Sequence, residues 1–163
     1  RAGARFVSRF IQGLALRLLE YSDASAVTVE GGAALLCLTE PLVWEIGEVG
    51  SGDEIVAPAF NPAGLSDAEL YLIATRRAIA RGVTDGGSIP QAFRWLINPW
   101  GDGSKAFALH DDGYKTQGWY GRLSCRDVDD LLYEALIAVR VPANQAHAIH
   151  AAVRAFGGAA WGT

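Results

Sequence analysis

The last third of the chain carries the sequence pattern of three consecutive helices, and no other feature constrains the fold as strongly. A serine is suitably placed to cap a helix over residues 104–117, and the glycine that follows would end it. The order Ser-x-x-Asp at the start of the next segment is typical of a capping box and predicts a helix over 124–140. A proline favours the start of a last helix over 142–156. The second half of the chain is therefore expected to be helical.

The first half carries short apolar segments of the kind that form strands. They are rich in Val, Leu and Ile and are separated by Gly-rich or Pro-containing turns. The segments cover residues 26–30, 34–40, 42–46 and 53–58. A small antiparallel sheet or a pair of hairpins is the natural product of such short connections. The sequence thus predicts an α+β fold, with a small antiparallel sheet in the first half and a helical second half that contains an antiparallel helix pair.

The beginning of the chain is predicted to be an amphipathic helix. Apolar residues at positions 6, 7, 10, 11, 14 and 18 follow the helical period, and arginines flank them. Such a helix would lie on an anionic membrane or dock on a partner, or it would pack on its own domain. At 163 residues the chain is long enough to bury one proper core. We therefore divide it into an N-terminal helix, residues 1–21, and a single α+β domain, residues 22–163.

Charge and composition argue against several classes of protein. A formal net charge of −4 leaves no broad basic field, which disfavours general nucleic-acid binding. Cys37 and Cys125 are far apart and outside any Cys/His cluster, so they indicate neither a disulfide framework nor a structural zinc site. No stretch approaches the roughly 20 apolar residues of a transmembrane helix, and the first residues lack the apolar segment of a signal peptide. We expect a soluble protein that is at most peripheral to a membrane.

One helix face combines aromatic and ionisable side chains. Four residues spaced i, i+3, i+4 and i+7 share this face of the helix over 104–117: Phe107, His110, Asp111 and Tyr114. The aromatic members indicate that the face points inward. An imidazole and a carboxylate are costly to bury unless both are paired. The sequence therefore predicts a polar partner on a neighbouring element.

Asp129 is the expected partner of His110. It shares a face of the next helix with Leu132 and Leu136, and a short connection makes the two helices antiparallel neighbours. A carboxylate bound to one ring nitrogen fixes the tautomer and raises the basicity of the other nitrogen, which a general base acting on water requires. His110 and Asp129 are therefore the candidate catalytic pair, although buried His–Asp pairs often serve only to join helices.

Asp111 is then left for a different role, and a hard cation suits it. Ca²⁺ takes about six to eight oxygen ligands, and two Gly-rich loops before this helix offer carbonyl oxygens and a second carboxylate. Asp85 is the better second carboxylate and Asp102 the weaker one. His147 and His150, on the last helix, could also chelate a metal, but ordinary helix-face positions are the better explanation of their spacing.

Four motifs together resemble a phage and prophage family whose members are domains of unknown function. They are T-D-G-G-S-I-P at 84–90, P-W-G-D-G-S-K-A-F-A-L-H-D-D-G-Y at 99–114, S-C-R-D-V-D-D-L-L-Y-E-A-L at 124–136 and A-V-R-A-F-G at 152–157. The ordered set is more specific than any single motif. The resemblance covers about Leu35 to Gly157. Within this stretch, residues 59–81 look like an insertion relative to the family.

The H-D-x-x-Y motif, followed by V-D on the next helix, also resembles the core of phospholipase A2-like enzymes, including the viral capsid versions. This resemblance implies that His110 is the general base for a water and that Asp111 binds Ca²⁺. It further implies that Asp129 orients the imidazole and that Tyr114 supports the network.

The sequence departs from the secreted phospholipases in two places. Those enzymes carry cysteines around the H-D pair, whereas this chain has Ala108 and Gly113 there. Neither Gly-rich loop matches the usual calcium loop position by position. The implied helical core would therefore stand without disulfide support.

Two functions are expected from these resemblances. The first is a phage-associated, Ca²⁺-dependent lipid esterase that acts at the host envelope. The second is a non-catalytic virion protein, of the tail or tail tip, which uses the helical core as a scaffold and docks on other virion proteins through residues 5–19. Either function places the protein in the phage virion or the host cytoplasm.

Overall fold

The computed structural model describes residues 8–11, 13, 16–18, 36–61, 63–66, 68–69, 80–84 and 103–162. The strands of this set are β1 Arg9–Phe10, β2 Leu16–Leu18, β3 Leu36–Leu38, β4 Leu42–Glu45, β5 Glu54–Ala57 and β6 Val83–Thr84. The helices within 103–162 are α1 Ser104–Lys115, α2 Gln117–Gly121, α3 Cys125–Ala138 and α4 Ala143–Phe156, and a 3-10 turn follows at Gly157–Ala160. The predicted α+β class is confirmed. The domain boundary at residue 21 lies outside the described residues and stays a prediction.

The strands form two three-stranded antiparallel sheets, in the orders β1-β4-β5 and β2-β3-β6. In the β4–β5 hairpin, Leu42 lies opposite Ala57 and Trp44 lies opposite Ile55. All four side chains are buried, because alternate residues of a strand point to the same face. This face of the hairpin therefore packs on the core. The predicted strand at 26–30 falls outside the described part of the chain.

The predicted helix over residues 6–19 is wrong wherever the structure describes this segment, because β1 and β2 are strands. Phe10 lies opposite Trp44, and their rings meet edge to face with centroids 4.7 Å apart. Arg9 donates a hydrogen bond from Nε to Glu45 at 3.0 Å. Pairing with β4 and burial against it outweigh the local helical period. The arginine thus belongs to a sheet contact and not to a basic helix face.

Two of the three predicted helix starts are as expected. Ser124 Oγ accepts from the Asp127 amide at 3.2 Å while the Asp127 carboxylate accepts from the Ser124 amide at 3.0 Å, which confirms the capping box. α4 begins directly after Pro142. Ser104 differs from its predicted role, since it is the first residue of α1. Gly103 is the N-cap and makes no side-chain cap bond.

α1 ends at Lys115, earlier than predicted, because the chain then enters α2, which is a left-handed turn and not a regular α-helix. Every φ from residue 117 to residue 121 is positive, a conformation that L-residues adopt at a cost. Gly118 is required here, since a Cβ at this position would overlap the carbonyl oxygen of Leu123. The turn carries the chain from α1 to the start of α3.

α1 and α3 run antiparallel, as predicted. Gly103, at the start of α1, faces Leu136 near the end of α3, whereas Gly113 faces Val128 near the start of α3. One apolar core joins these helices to α4 and to the β4–β5 hairpin, and its members include Trp44, Ile55, Leu109, Leu132, Leu136 and Ile149. Among the helices that the structure describes, none combines the length and apolar character needed to cross a membrane.

Candidate active site between two helices

α1 presents an imidazole and a phenol, one turn apart, to α3. His110 and Tyr114 are each 7% exposed, and their ring centroids are 4.3 Å apart. Phe107, one turn earlier, is also buried. Residues spaced three and four apart lie on one helix face, so these three side chains occupy the predicted inward face.

Asp129 lies opposite this pair on α3. Its Oδ1 is 3.0 Å from His110 Nε2 and accepts a hydrogen bond of 2.7 Å from the Tyr114 hydroxyl. The carboxylate is buried, with Asp129 only 3% exposed. The predicted contact between His110 and Asp129 is therefore present, while the catalytic roles of the two residues stay a prediction.

The contact decides which nitrogen of His110 can accept a proton. Asp129 is the only hydrogen-bond partner of the His110 imidazole among the described residues, and the bond uses Nε2. A neutral imidazole that donates from Nε2 to a carboxylate carries its lone pair on Nδ1. The carboxylate also stabilises the imidazolium that forms when Nδ1 takes up a proton. An imidazole held in this way can act as a general base through Nδ1.

Tyr114 completes the network as a permanent donor. Burial, and then the hydrogen bond to Asp129, raise the pKa of its hydroxyl above the usual range. The phenol therefore stays protonated and keeps donating to Asp129 Oδ1. Trp161 packs edge to face on the Tyr114 ring, with centroids 5.2 Å apart, so the position of the hydroxyl is fixed from two sides.

Asp111 does not join this cluster. It is half-buried on α1, and its Oδ2 accepts a hydrogen bond of 2.5 Å from the Thr84 hydroxyl on β6. Asp85 and Asp102, the other predicted carboxylates, lie outside the described residues. Within the described ranges, no three His, Cys, Asp or Glu side chains come together as a metal site. The Asp111 carboxylate and the Thr84 hydroxyl supply fewer oxygens than the roughly six to eight that Ca²⁺ takes.

Residues 73–153 match the family described as a protein of unknown function, DUF1353. The match spans α1, α2, α3 and most of α4, and it therefore includes the whole His110–Tyr114–Asp129 cluster. It is shorter than the stretch from about residue 35 to residue 157 over which we expected a resemblance. No curated protein and no solved structure matches the chain.

The DUF1353 match also contains a buried ion pair that sequence analysis missed. Asp112 is 3% exposed and accepts two hydrogen bonds from Arg81, at 3.0 and 2.7 Å, and a third from Trp119 Nε1 at 2.9 Å. The hydrogen bond to Asp112 raises the pKa of Arg81, so the guanidinium stays charged. Asp112 ties α1 to the left-handed turn and to the segment before β6. It thereby fixes the helix that carries His110.

Arg154 was also missed, and it lies one residue beyond the DUF1353 match. It projects from α4 toward α3, where its Nη2 donates to Asp130 at 2.6 Å and its Nε lies 3.6 Å from Asp129 Oδ2. Its spacing of four residues from His150 was the available signal, since His150 Nε2 contacts the same Asp130 oxygen at 2.8 Å. His147 contacts the Tyr133 hydroxyl at 3.1 Å. Both histidines thus make side-chain contacts with residues of α3.

Proposed function

We propose that the chain is a phage-associated hydrolase of the phospholipase A2-like type, in which His110 activates a water for attack on a lipid ester. The observation that carries the proposal is the buried network in which Asp129 Oδ1 contacts both His110 Nε2 and the Tyr114 hydroxyl. The H-D-x-x-Y motif supports the reaction type. The phage context rests on the motif set alone.

The chemistry follows from the free nitrogen of the imidazole. A water within hydrogen-bond reach of His110 Nδ1 gives up a proton to this nitrogen while its oxygen attacks the ester carbonyl. The imidazolium then returns the proton to the departing alkoxide, so that the ester is cleaved to an acid and an alcohol. His110 ends the cycle in its starting form.

Asp129 and Tyr114 support this cycle without taking up the proton. The Asp129 carboxylate faces the positive charge that develops on His110, which lowers the free energy of the imidazolium. Tyr114 holds the same oxygen, so the carboxylate cannot turn away when His110 changes its charge. General base catalysis of this kind contributes a factor of about 10² to 10⁴ to a rate.

Calcium is the cation that the proposed reaction would use. The phospholipase A2 resemblance assigns Asp111 as a ligand, with Asp85 as a second carboxylate, and a bound cation would polarise the ester carbonyl. An assay with and without the metal therefore belongs to the test.

Lipid hydrolysis by wild type and by His110→Gln tests the proposal. Vesicles of phosphatidylcholine and phosphatidylglycerol are incubated with each protein, once with calcium and once with a chelator, and released fatty acid is measured. We expect His110→Gln to lower the rate by a factor of about 10² to 10⁴ while urea unfolding shows a folded protein. His147→Gln is the matched control, because His147 is an imidazole on the exposed side of α4, and it should retain the wild-type rate.

A wild-type protein that releases no fatty acid in either condition would overturn the proposal. The alternative is a non-catalytic virion component that uses α1, α3 and α4 as a scaffold. One argument for this alternative was a docking helix over residues 5–19, and the structure has the strands β1 and β2 in the described part of this segment. This alternative requires that the protein is found in purified phage particles and that it hydrolyses no lipid.

A further inference from the structure

Arg154 spans two neighbouring carboxylates of α3. Its Nη2 donates to Asp130 Oδ1 at 2.6 Å, and its Nε lies 3.6 Å from Asp129 Oδ2. The second distance is an ionic contact and too long for a hydrogen bond. The Nε atom is buried and has no hydrogen-bond partner among the described residues. The buried Nε of Arg154 therefore interacts with Asp129 through its charge and not through a hydrogen bond.

The positive charge of Arg154 stabilises the buried carboxylate of Asp129. Its Oδ1 is occupied by His110 and Tyr114, and its Oδ2 faces Arg154. Tyr114 is neutral, and His110 must be neutral when it acts as a base. Within the described part of the chain, Arg154 is therefore the permanently charged group that lies within ion-pair distance of Asp129. A buried carboxylate without a counter-charge is strongly destabilised.

Asp130, by contrast, is stabilised by other groups besides Arg154. Its side chain is 52% exposed, so water solvates it, and His150 already contacts the same oxygen at 2.8 Å. An arginine that served only the surface pair would gain nothing from a buried, unbonded Nε. Asp130 is better described as the anchor that holds the guanidinium beside Asp129.

We propose that Arg154 is a positioning residue of the candidate active site, whose guanidinium, anchored on Asp130, holds Asp129 so that Oδ1 keeps its contacts with His110 and Tyr114. This inference rests on the proposed function and deepens it. It adds α4 to the two helices that form the site. It also gives the site a component that acts on Asp129 and not on the substrate.

The kinetic test compares Arg154→Ala, Arg154→Lys and wild type in the vesicle assay. Residues that orient the acting groups of a site change activity by about 10- to 100-fold, so Arg154→Ala should lower kcat by that factor. KM should stay within about twofold, because Arg154 does not touch substrate. Arg154→Lys retains the charge and should recover most of the loss. Arg122→Ala, which removes an arginine paired with Asp53 on the surface, is the matched control and should behave as wild type.

The second measurement needs no catalysis. A hydrogen-bonded, buried Nε2–H of His110 is expected to give a downfield proton resonance in NMR spectra, assigned by its loss in His110→Gln. We expect this resonance to shift or broaden in Arg154→Ala and to persist in Arg154→Lys. This readout reports the Asp129 contact itself, so it stands even when the wild type hydrolyses no lipid.

The outcomes separate the inference from the proposed function. An unchanged His110 resonance in a folded Arg154→Ala protein overturns the positioning role, whatever the activity of the wild type. A kcat that falls equally in Arg154→Ala and Arg154→Lys overturns it as well, because the retained charge then has no effect. If Arg154→Ala does not fold, Asp130→Asn is the replacement variant. It removes the anchor's charge, and an unaltered resonance in that protein counts against the inference.

Discussion

Gly157 sets how closely α4 approaches the hydroxyl of Tyr114. A Cβ at this position would lie 2.5 Å from Tyr114 Oη and 3.3 Å from Cζ. Gly157→Ala should therefore push the phenol away from Asp129. Such overpacking costs about 1 to 3 kcal/mol, so we expect the free energy of unfolding, measured in urea, to fall by that amount. Lipid hydrolysis should fall with it, because Tyr114 holds Asp129 in place.

Two further variants show whether the hydroxyl is the cause. Gly158→Ala adds the same methyl group one residue later, where no atom lies within 4 Å, and should cost nothing. In a Tyr114→Phe background the closest atom is absent, so the cost of Gly157→Ala should shrink. An equal cost in both backgrounds would show that the clash arises elsewhere.

At the residue scale, spacing predicted the contacts between α1 and the adjacent α3 and missed those made by α4 and β6. His110 and Tyr114 are four residues apart on α1, and the short connection to α3 was enough to bring Asp129 opposite them. Arg154 reaches the same carboxylate from α4. Its spacing from His150 indicates a shared helix face, but no local pattern identifies Asp129 as a residue that it contacts. Asp111 follows the same spacing as the others, yet it contacts Thr84, because β6 packs beside α1.

At the element scale, caps were more informative than periodicity. The capping box of α3 and the proline before α4 act within a few residues, so their helices were predicted close to their observed bounds. The apolar positions between residues 6 and 19 fit a helix in isolation. Where the structure describes this segment, β1 pairs with β4, whose Trp44 packs on Phe10, and β2 pairs with β3. Such long-range pairing cannot be deduced from a local window.

The end of α3 offers a test of backbone strain at this scale. Arg140 has a φ of 66°, and the helix closes with Val141 N–H donating to the Leu136 carbonyl at 3.0 Å and Arg140 N–H donating to Ile137 at 3.0 Å. This is a Schellman ending, in which glycine is the favoured residue. Arg140→Gly should raise the free energy of unfolding by about 0.5 to 1 kcal/mol, since relief of the left-handed strain exceeds the entropy that glycine adds to the unfolded chain.

Arg140→Ala is the control for loss of the exposed side chain. Alanine keeps the Cβ and therefore the strain, so its free energy of unfolding should stay at or below the wild-type value. Urea unfolding curves of the three proteins give the comparison. A gain that is equal for glycine and alanine would assign the effect to the arginine side chain and not to the backbone.

At the scale of the whole molecule, one core joins the β4–β5 hairpin to the helices, so a contact at the sheet affects the stability of the entire unit. Glu45 is such a contact. It accepts hydrogen bonds from Arg9 Nε at 3.0 Å and from the Gly50 amide at 2.8 Å, and it thereby joins β1, β4 and the turn before β5. The hydrogen bond from Arg9 holds the pKa of Glu45 below its usual value of 4.5.

This lowered pKa makes the fold sensitive to acid. A carboxylate whose pKa is lower in the folded state than in the unfolded state stabilises the fold. This stabilisation is complete above the unfolded-state pKa and is lost as the pH falls through the folded-state pKa. We therefore expect the free energy of unfolding to decrease as the pH falls below 4.5. Glu45→Gln should be less stable than wild type at pH values near 7 and should lose less on acidification, so that the two curves converge in acid. Glu54→Gln makes the same change in charge at the cross-strand neighbour and controls for net charge. The free energy of unfolding of each protein is measured with urea across the pH range. Parallel curves for wild type and Glu45→Gln would contradict the role of the Arg9–Glu45 contact.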